Sequence, residues 1–130
     1  AFSGETKLNN VPPKGEVPVG KEMLAFIRDA MTGVVNGPGG TGHGARLENV
    51  TVAGKTGTAQ VISLDSQSAD KAHMDHAWFT SFAPAEAPEI AVTVLVEHGG
   101  KGGAVAAPLA KKIIETYFQL KKERKANDNV

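Results

Sequence analysis

Apolar residues recur at three- and four-residue spacing at Met23, Leu24, Ile27, Ala30, Met31, Val34 and Val35. On a helix that spacing collects them into one stripe, so the pattern predicts an amphipathic α-helix over 21–35. Asn36-Gly37-Pro38 ends it, with Gly37 suited to the position just past a helix terminus. Residues 37–44, Gly-Pro-Gly-Gly-Thr-Gly-His-Gly, form a glycine-dense loop. Beyond the loop the period changes. Val50 to Ile62 reads as a strand with β-branched residues at both ends and small ones between. After a polar stretch from Ser63 to Asp75, Trp78 to Phe82 forms a short aromatic strand, and Pro84 and Pro88 bracket a turn. Ile90 to Val96 is almost continuously apolar, the pattern of a strand covered on both faces. Gly99, Gly100, Gly102 and Gly103 break it. A second helix is predicted from about Ala104 to Leu120, with Val105, Leu109, Ile113, Tyr117 and Leu120 on its inner face. Pro108 is tolerable in that helix only in the first turn, where the missing N–H has no partner to lose.

The order is helix, strand, strand, strand, helix, preceded by an extended lead-in over 1–20 and followed by a polar tail over 121–130. Short connections favour antiparallel pairing of the last two strands. The expected fold class is α/β of the α+β kind, an antiparallel sheet with flanking helices. Three strands and two helices make a thin core, so further strands are expected to belong to the sheet.

Composition adds limits. With 130 residues the chain is at most one domain, and 41% hydrophobic with 22% charged residues is a globular balance. Fourteen basic residues offset fourteen acidic ones, so no global charge points to nucleic acid or to an anionic membrane. Lys121, Lys122, Arg124 and Lys125 read as a frayed helix end rather than a binding patch. There is no cysteine, which removes disulfides and thiolate metal sites. No stretch reaches the roughly 18 apolar residues of a membrane span, and Ala1-Phe2-Ser3-Gly4 has no signal-peptide pattern. The chain opens in mid-phrase and reads as a piece of something longer.

Candidate chemistry concentrates in Gly54-Lys55-Thr56-Gly57-Thr58-Ala59-Gln60. Small residues in a strand let another backbone come close. Lys55 adds a positive charge, and Thr56 and Thr58, two residues apart, present hydroxyls to one side. Together they suit an extended peptide ending in a carboxylate, held by strand addition and charge-assisted hydrogen bonds. The plain alternative is an edge strand with an exposed lysine. A phosphate-binding loop ending in Gly54-Lys55-Thr56 is rejected, because Asn49 stands where its leading glycine belongs and the following residues are strand-like. A metal site built on His73 and His76, with Asp75 between them and His43 and His98 elsewhere, lacks a third ligand at helical spacing. No metal and no cofactor is expected.

The context of Lys55-Thr56-Gly57 is more specific than the triplet. Met31, Val34-Val35-Asn36 and Gly40-Thr41 precede it; His76-Ala77-Trp78-Phe79, Phe82-Ala83-Pro84, Val94-Leu95-Val96-Glu97 and Gly99-Gly100 follow in order. From about Pro18 to Phe118 the chain resembles the C-terminal part of the transpeptidase domain of class B penicillin-binding proteins, closest to the elongation type, penicillin-binding protein 2. The resemblance implies a partial β-lactamase-like fold with the active site along the Lys-Thr-Gly strand. It implies peptidoglycan crosslinking through an acyl-serine intermediate, with stem peptides, β-lactams and other cell-wall synthesis proteins as partners. It also implies a periplasmic location, with anchoring by an N-terminal membrane helix. Under it, Lys55 sets the local positive potential, and Thr56 and Thr58 bind the substrate or β-lactam carboxylate. Gly57 lets the acyl chain lie along the strand, and the Thr58 backbone N–H supplies half of an oxyanion hole.

The family's Ser-x-x-Lys and Ser-x-Asn motifs belong upstream of Lys-Thr-Gly. The one Ser-x-x-Lys here, Ser68-Ala69-Asp70-Lys71, lies downstream in a polar stretch, and there is no Ser-x-Asn. No catalytic nucleophile is therefore assigned, and this segment alone is expected to be inactive. Its sheet, short of strands, is expected to self-associate. The alternative reading is a non-catalytic peptide-binding or assembly module of a cell-wall protein.

Overall fold

The computed structural model describes residues 15–16, 18–60 and 74–128. The Ser68-Ala69-Asp70-Lys71 match, His73, most of the lead-in and the far end of the first expected strand lie outside them. Three strands, β1 (Ala53–Ala59), β2 (His76–Ala83) and β3 (Ile90–Val96), form one antiparallel sheet in the order β1-β2-β3. Helix α1 (Lys21–Asn36) precedes the sheet, a 3-10 turn (His43–Ala45) follows α1, and helix α2 (Gly102–Asn127) closes the chain. The α+β architecture read from the sequence is the one observed.

Register decides what each face holds. Thr56 lies opposite Phe79 and Thr58 opposite Ala77, while Lys55 lies opposite Thr80 and Gly57 opposite Trp78. Across the other ladder Phe79 faces Val94 and Trp78 faces Leu95. Because side chains alternate, one face carries Ala77, Phe79, Ser81 and Ala83, all fully buried. These join Val92, Val35 of α1 and Ala106, Ala107, Ala110 and Ile114 of α2 in a single core. The buried Ser81 hydroxyl is satisfied by the Val92 carbonyl at 3.3 Å. The opposite face exposes Trp78, Thr80, Thr93 and Leu95. Thus Ile90–Val96 is covered on one face among the described residues, not on both as its apolar run suggested: a solvated pair such as Trp78 and Leu95 looks identical to a buried one in sequence.

Both helices depart from their predicted faces. On α1 only Val35 is buried, whereas Met23 is 54% and Phe26 70% exposed. Leu24 and Ile27 also remain exposed. Periodicity states that a helix has an apolar stripe, not that the neighbouring residues reach it, and here only the last turns of α1 meet the core. On α2 the inner face is Ala106, Ala107, Ala110 and Ile114, with Phe118 partly covered; Leu109, Ile113 and Leu120 are exposed and Val105 and Tyr117 half-buried. The stripe is turned by about one residue, near 100° of helix, relative to the expected bulky one. Close approach explains it. A Cβ on Gly102 would lie 2.1 Å from the Trp78 carbonyl oxygen, so the start of α2 nearly touches strand backbone and only small residues fit the seam.

Helix α2 also runs to Asn127, seven residues past Leu120 and through the basic segment expected as tail. Lys121 pairs with Glu89 at the head of β3, which ties that extension to the sheet. Pro108 sits inside α2, beyond the first turn. Its ring serves as packing surface: a Cβ on Gly44 would lie 3.0 Å from Pro108 Cδ, so the 3-10 turn rests on it. The helix hydrogen bond it forgoes belongs to the carbonyl of Ala104, an exposed residue with access to water. At the other end of the sheet Glu89 N–H donates to the Ala83 carbonyl at 2.9 Å and closes the turn that Pro84 and Pro88 bracket.

Candidate functional site on strand β1

Strand β1 carries Lys55, Thr56, Gly57 and Thr58 within Ala53–Ala59. Among the described residues it pairs only with β2, so its other edge is free. Burial falls along the strand. Ala53 and Gly54 are buried, Thr56 and Gly57 half-buried, and Lys55, Thr58 and Ala59 exposed. The buried end anchors the strand and the wet end presents it. Since Lys55 and Thr56 lie inside a strand and open no helix, the rejection of a phosphate loop stands.

Alternation separates the two chemistries the sequence grouped together. Lys55 lies on the face of Thr80, and Thr56 and Thr58 on the face of Phe79 and Ala77. A ligand touching the ammonium and both hydroxyls must therefore lie along the free edge of β1, where the two faces meet. Lys55 Nζ donates to the Thr56 carbonyl at 2.7 Å, so the ammonium folds back along its own strand. The Thr56 hydroxyl is 2.9 Å from the hydroxyl of Thr41 in the glycine loop.

The small residues around β1 have separate physical reasons. A Cβ on Gly54 would lie 2.4 Å from Phe79 Cζ, so this glycine makes room for a core ring rather than for a visiting backbone, as the sequence suggested. Gly57 is held by β2 and by α2: a Cβ there would sit 3.1 Å from Trp78 Cβ, and a Cβ on Gly102 would be 2.6 Å from the Gly57 carbonyl oxygen. The start of α2 thus braces the strand from behind.

A second polar knot lies at the wet end. Ala59 pairs with His76, whose Nδ1 accepts the His98 backbone N–H at 3.0 Å. Their rings meet edge to face at 4.8 Å, and His98 Nδ1 is 3.1 Å from the Met74 carbonyl. His98 adopts a left-handed backbone at φ 52, and Gly100 N–H donates to the Asp75 carbonyl at 2.8 Å. The Nδ1 of His76 is thus engaged by a backbone N–H, and no group of three His, Cys, Asp or Glu side chains comes together among the described residues. The sequence pointed to His76 with His73; the structure pairs it with His98, a contact between the start of β2 and the turn after β3 that no local spacing reveals. Thr41 was likewise legible only as part of a motif order. A cleft lined by Leu47, Lys111, Glu115 and Phe118, among others, involves no residue of β1.

An antiparallel sheet followed by a C-terminal helix, with Lys-Thr-Gly-Thr on a strand unpaired at one edge among the described residues, fits the transpeptidase class of penicillin-binding proteins. Comparison with known proteins bears this out: the chain belongs to the penicillin binding protein transpeptidase domain family, whose model matches residues 5–115. It is similar to the peptidoglycan D,D-transpeptidase MrdA of Haemophilus influenzae, 45% identical over 95 residues, covering 68% of this chain and 15% of that protein. Among solved structures it resembles the complex of penicillin-binding protein 2 with MreC from Helicobacter pylori, at 36% identity and TM-score 0.62, covering 85% of this chain and 21% of that one. It also resembles the ceftriaxone acyl-enzyme of penicillin-binding protein A from Mycobacterium tuberculosis, at 36% identity and TM-score 0.58, covering 75% and 21%. The chain thus spans about a sixth to a fifth of the length of these relatives.

Proposed function

We propose that this chain is the C-terminal portion of a peptidoglycan D,D-transpeptidase domain of the elongation type, supplying the strand on which the stem peptide and β-lactams lie. The observation that carries the reading is the free edge of β1, where exposed Lys55 and Thr58 flank half-buried Thr56 and Gly57. A carboxylate along that edge meets a cation and two hydroxyls, and charge-assisted hydrogen bonds there are about twice as strong as neutral ones. The Thr58 N–H takes the role of one oxyanion donor, which gains most when negative charge develops on the attacked carbonyl oxygen. The attacking serine comes from a part of the domain upstream of this chain. It forms an ester with the penultimate residue of the stem, releases the terminal D-alanine and passes the acyl group to an amine of a neighbouring stem.

The same reading places the work on the periplasmic side of a bacterial inner membrane, with a membrane anchor outside this chain. No helix among the described residues is long and apolar enough to cross a membrane. Its partners are stem peptides, β-lactams and other proteins of cell-wall synthesis. The exposed Phe26, Trp78 and Leu95 mark surface that the remainder of the domain covers, so the isolated chain self-associates. Sedimentation showing a compact monomer that binds no apolar dye would count against this.

The direct test is labelling with a fluorescent penicillin, on this chain and on the full-length protein that carries it. A labelled full-length protein, an unlabelled chain, and loss of label on Lys55→Ala support the reading. A label on the chain itself would move the nucleophile to Ser68. No label on either would favour the non-catalytic peptide-binding module.

A further inference from the structure

The glycine loop between α1 and β1 delivers one side chain to the candidate site. Thr41 Oγ1 lies 2.9 Å from Thr56 Oγ1. Its backbone is clamped on three sides. A Cβ on Gly40 would lie 2.2 Å from the Val34 carbonyl oxygen, and one on Gly42 would lie 3.0 Å from the Phe79 ring. Gly42 N–H donates to the Val34 carbonyl at 2.9 Å, and a Cβ on Gly103 would be 2.0 Å from the carbonyl oxygen of Thr41 itself. The end of α1, the core of β2 and the start of α2 therefore fix the backbone from which the Thr41 hydroxyl reaches Thr56. Thr41 is exposed, so the core does not require its hydroxyl for burial.

We infer that Thr41 is a positioning residue for carboxylate recognition: it donates its proton to Thr56 Oγ1 and so leaves the Thr56 proton aimed at the ligand carboxylate. This rests on the reading of β1 given above. A hydroxyl has one proton and two lone pairs. With Thr41 as donor, Thr56 accepts on one side and donates on the other, and the two bonds polarise one another. With the directions reversed, Thr56 spends its only proton on Thr41 and offers an anion nothing but lone pairs. An anion on the β1 edge therefore selects the first arrangement. Thr41 touches no ligand in this scheme and acts through Thr56.

The test uses the full-length protein and two probes, a penicillin with its free carboxylate and the methyl ester of the same penicillin. Thr41→Val is expected to lower the second-order acylation rate for the free acid about fivefold, the size of one hydrogen bond lost, through weaker binding rather than slower acylation. The ester, which has no carboxylate to recognise, should be acylated at the parent rate, and Thr41→Ser should restore the rate with the acid. Equal losses with acid and ester would overturn the inference, because they would show the loop merely holding the fold together. An unchanged rate for Thr41→Val beside a reduced one for Thr56→Val would also overturn it while leaving the β1 reading intact. If Thr56→Val changes nothing either, the β1 reading itself fails.

Discussion

Gly54 offers the sharpest test of how β1 is seated. Adding a single methyl there places it 2.4 Å from Cζ of Phe79, with the ring's two flanking carbons at 3.0 and 3.2 Å. Carbon atoms rest at about 3.5–4.0 Å, so the ring or the strand must give by roughly 1 Å. Phe79 is fully buried among Val35 and the alanines of α2, and close-packed interiors leave no neighbouring void for such a shift. Overpacking of this kind costs about 1–3 kcal/mol, and Gly54→Ala is expected in that range. Part of the loss is offset by the smaller entropy of the unfolded chain, about 0.4–1 kcal/mol in alanine's favour. Thermal unfolding should therefore show a midpoint lower by several degrees, since one kcal/mol moves a domain of this size by about 3–5 °C. The decisive measurement is the cycle with Phe79→Leu, which removes the atoms the methyl meets. In that background Gly54→Ala should cost little, a coupling of about 1–3 kcal/mol between the two sites. An equal cost in both backgrounds would refute the reasoning and move the role of Gly54 to the backbone or to the ligand side.

Neighbouring isoleucines on α2 should respond very differently. Ile114 is fully buried and Ile113 is 48% exposed, so Ile114→Ala is expected to cost about 2–5 kcal/mol in denaturant unfolding and Ile113→Ala under about 1. A reversed order would restore the face expected from sequence. The Lys121–Glu89 pair joins α2 to the head of β3, and its hydrogen bond raises the Lys121 pKa above 10.5. A raised lysine pKa adds stability that is present below the unfolded value and is lost as pH climbs through the folded one. The difference in melting temperature between Lys121→Met and the parent should therefore be flat from about pH 6 to 9 and shrink above about 10.5. A difference growing at alkaline pH would contradict the assignment. The effect should be small at any pH, because exposed ion pairs contribute little.

The number and order of the elements, and the strand bearing Lys55-Thr56-Gly57-Thr58, were legible along the chain. They depend on local rules: period 3.6 against period 2, glycine and proline at the breaks, β-branched runs in strands. The order of short motifs around Lys55 carried the family for the same reason, since it is a property of sequence alone. Which stripe of each helix is buried was not legible. Helix α2 meets the sheet through Ala106, Ala107 and Ala110 because the glycines at its start bring it within contact of strand backbone, and that distance belongs to the packed whole. Helix α1 keeps Leu24, Phe26 and Ile27 exposed because the described residues cover them only in part, Leu24 bordering an open groove with Phe82, Ala85 and Pro88. Nor does sequence show that the edge of β1 where Lys55 and the two threonines meet is left unpaired among the described residues, or that Thr41, fifteen residues away, reaches Thr56. Contacts between segments distant in the chain are set by close packing in three dimensions, and no local pattern records them.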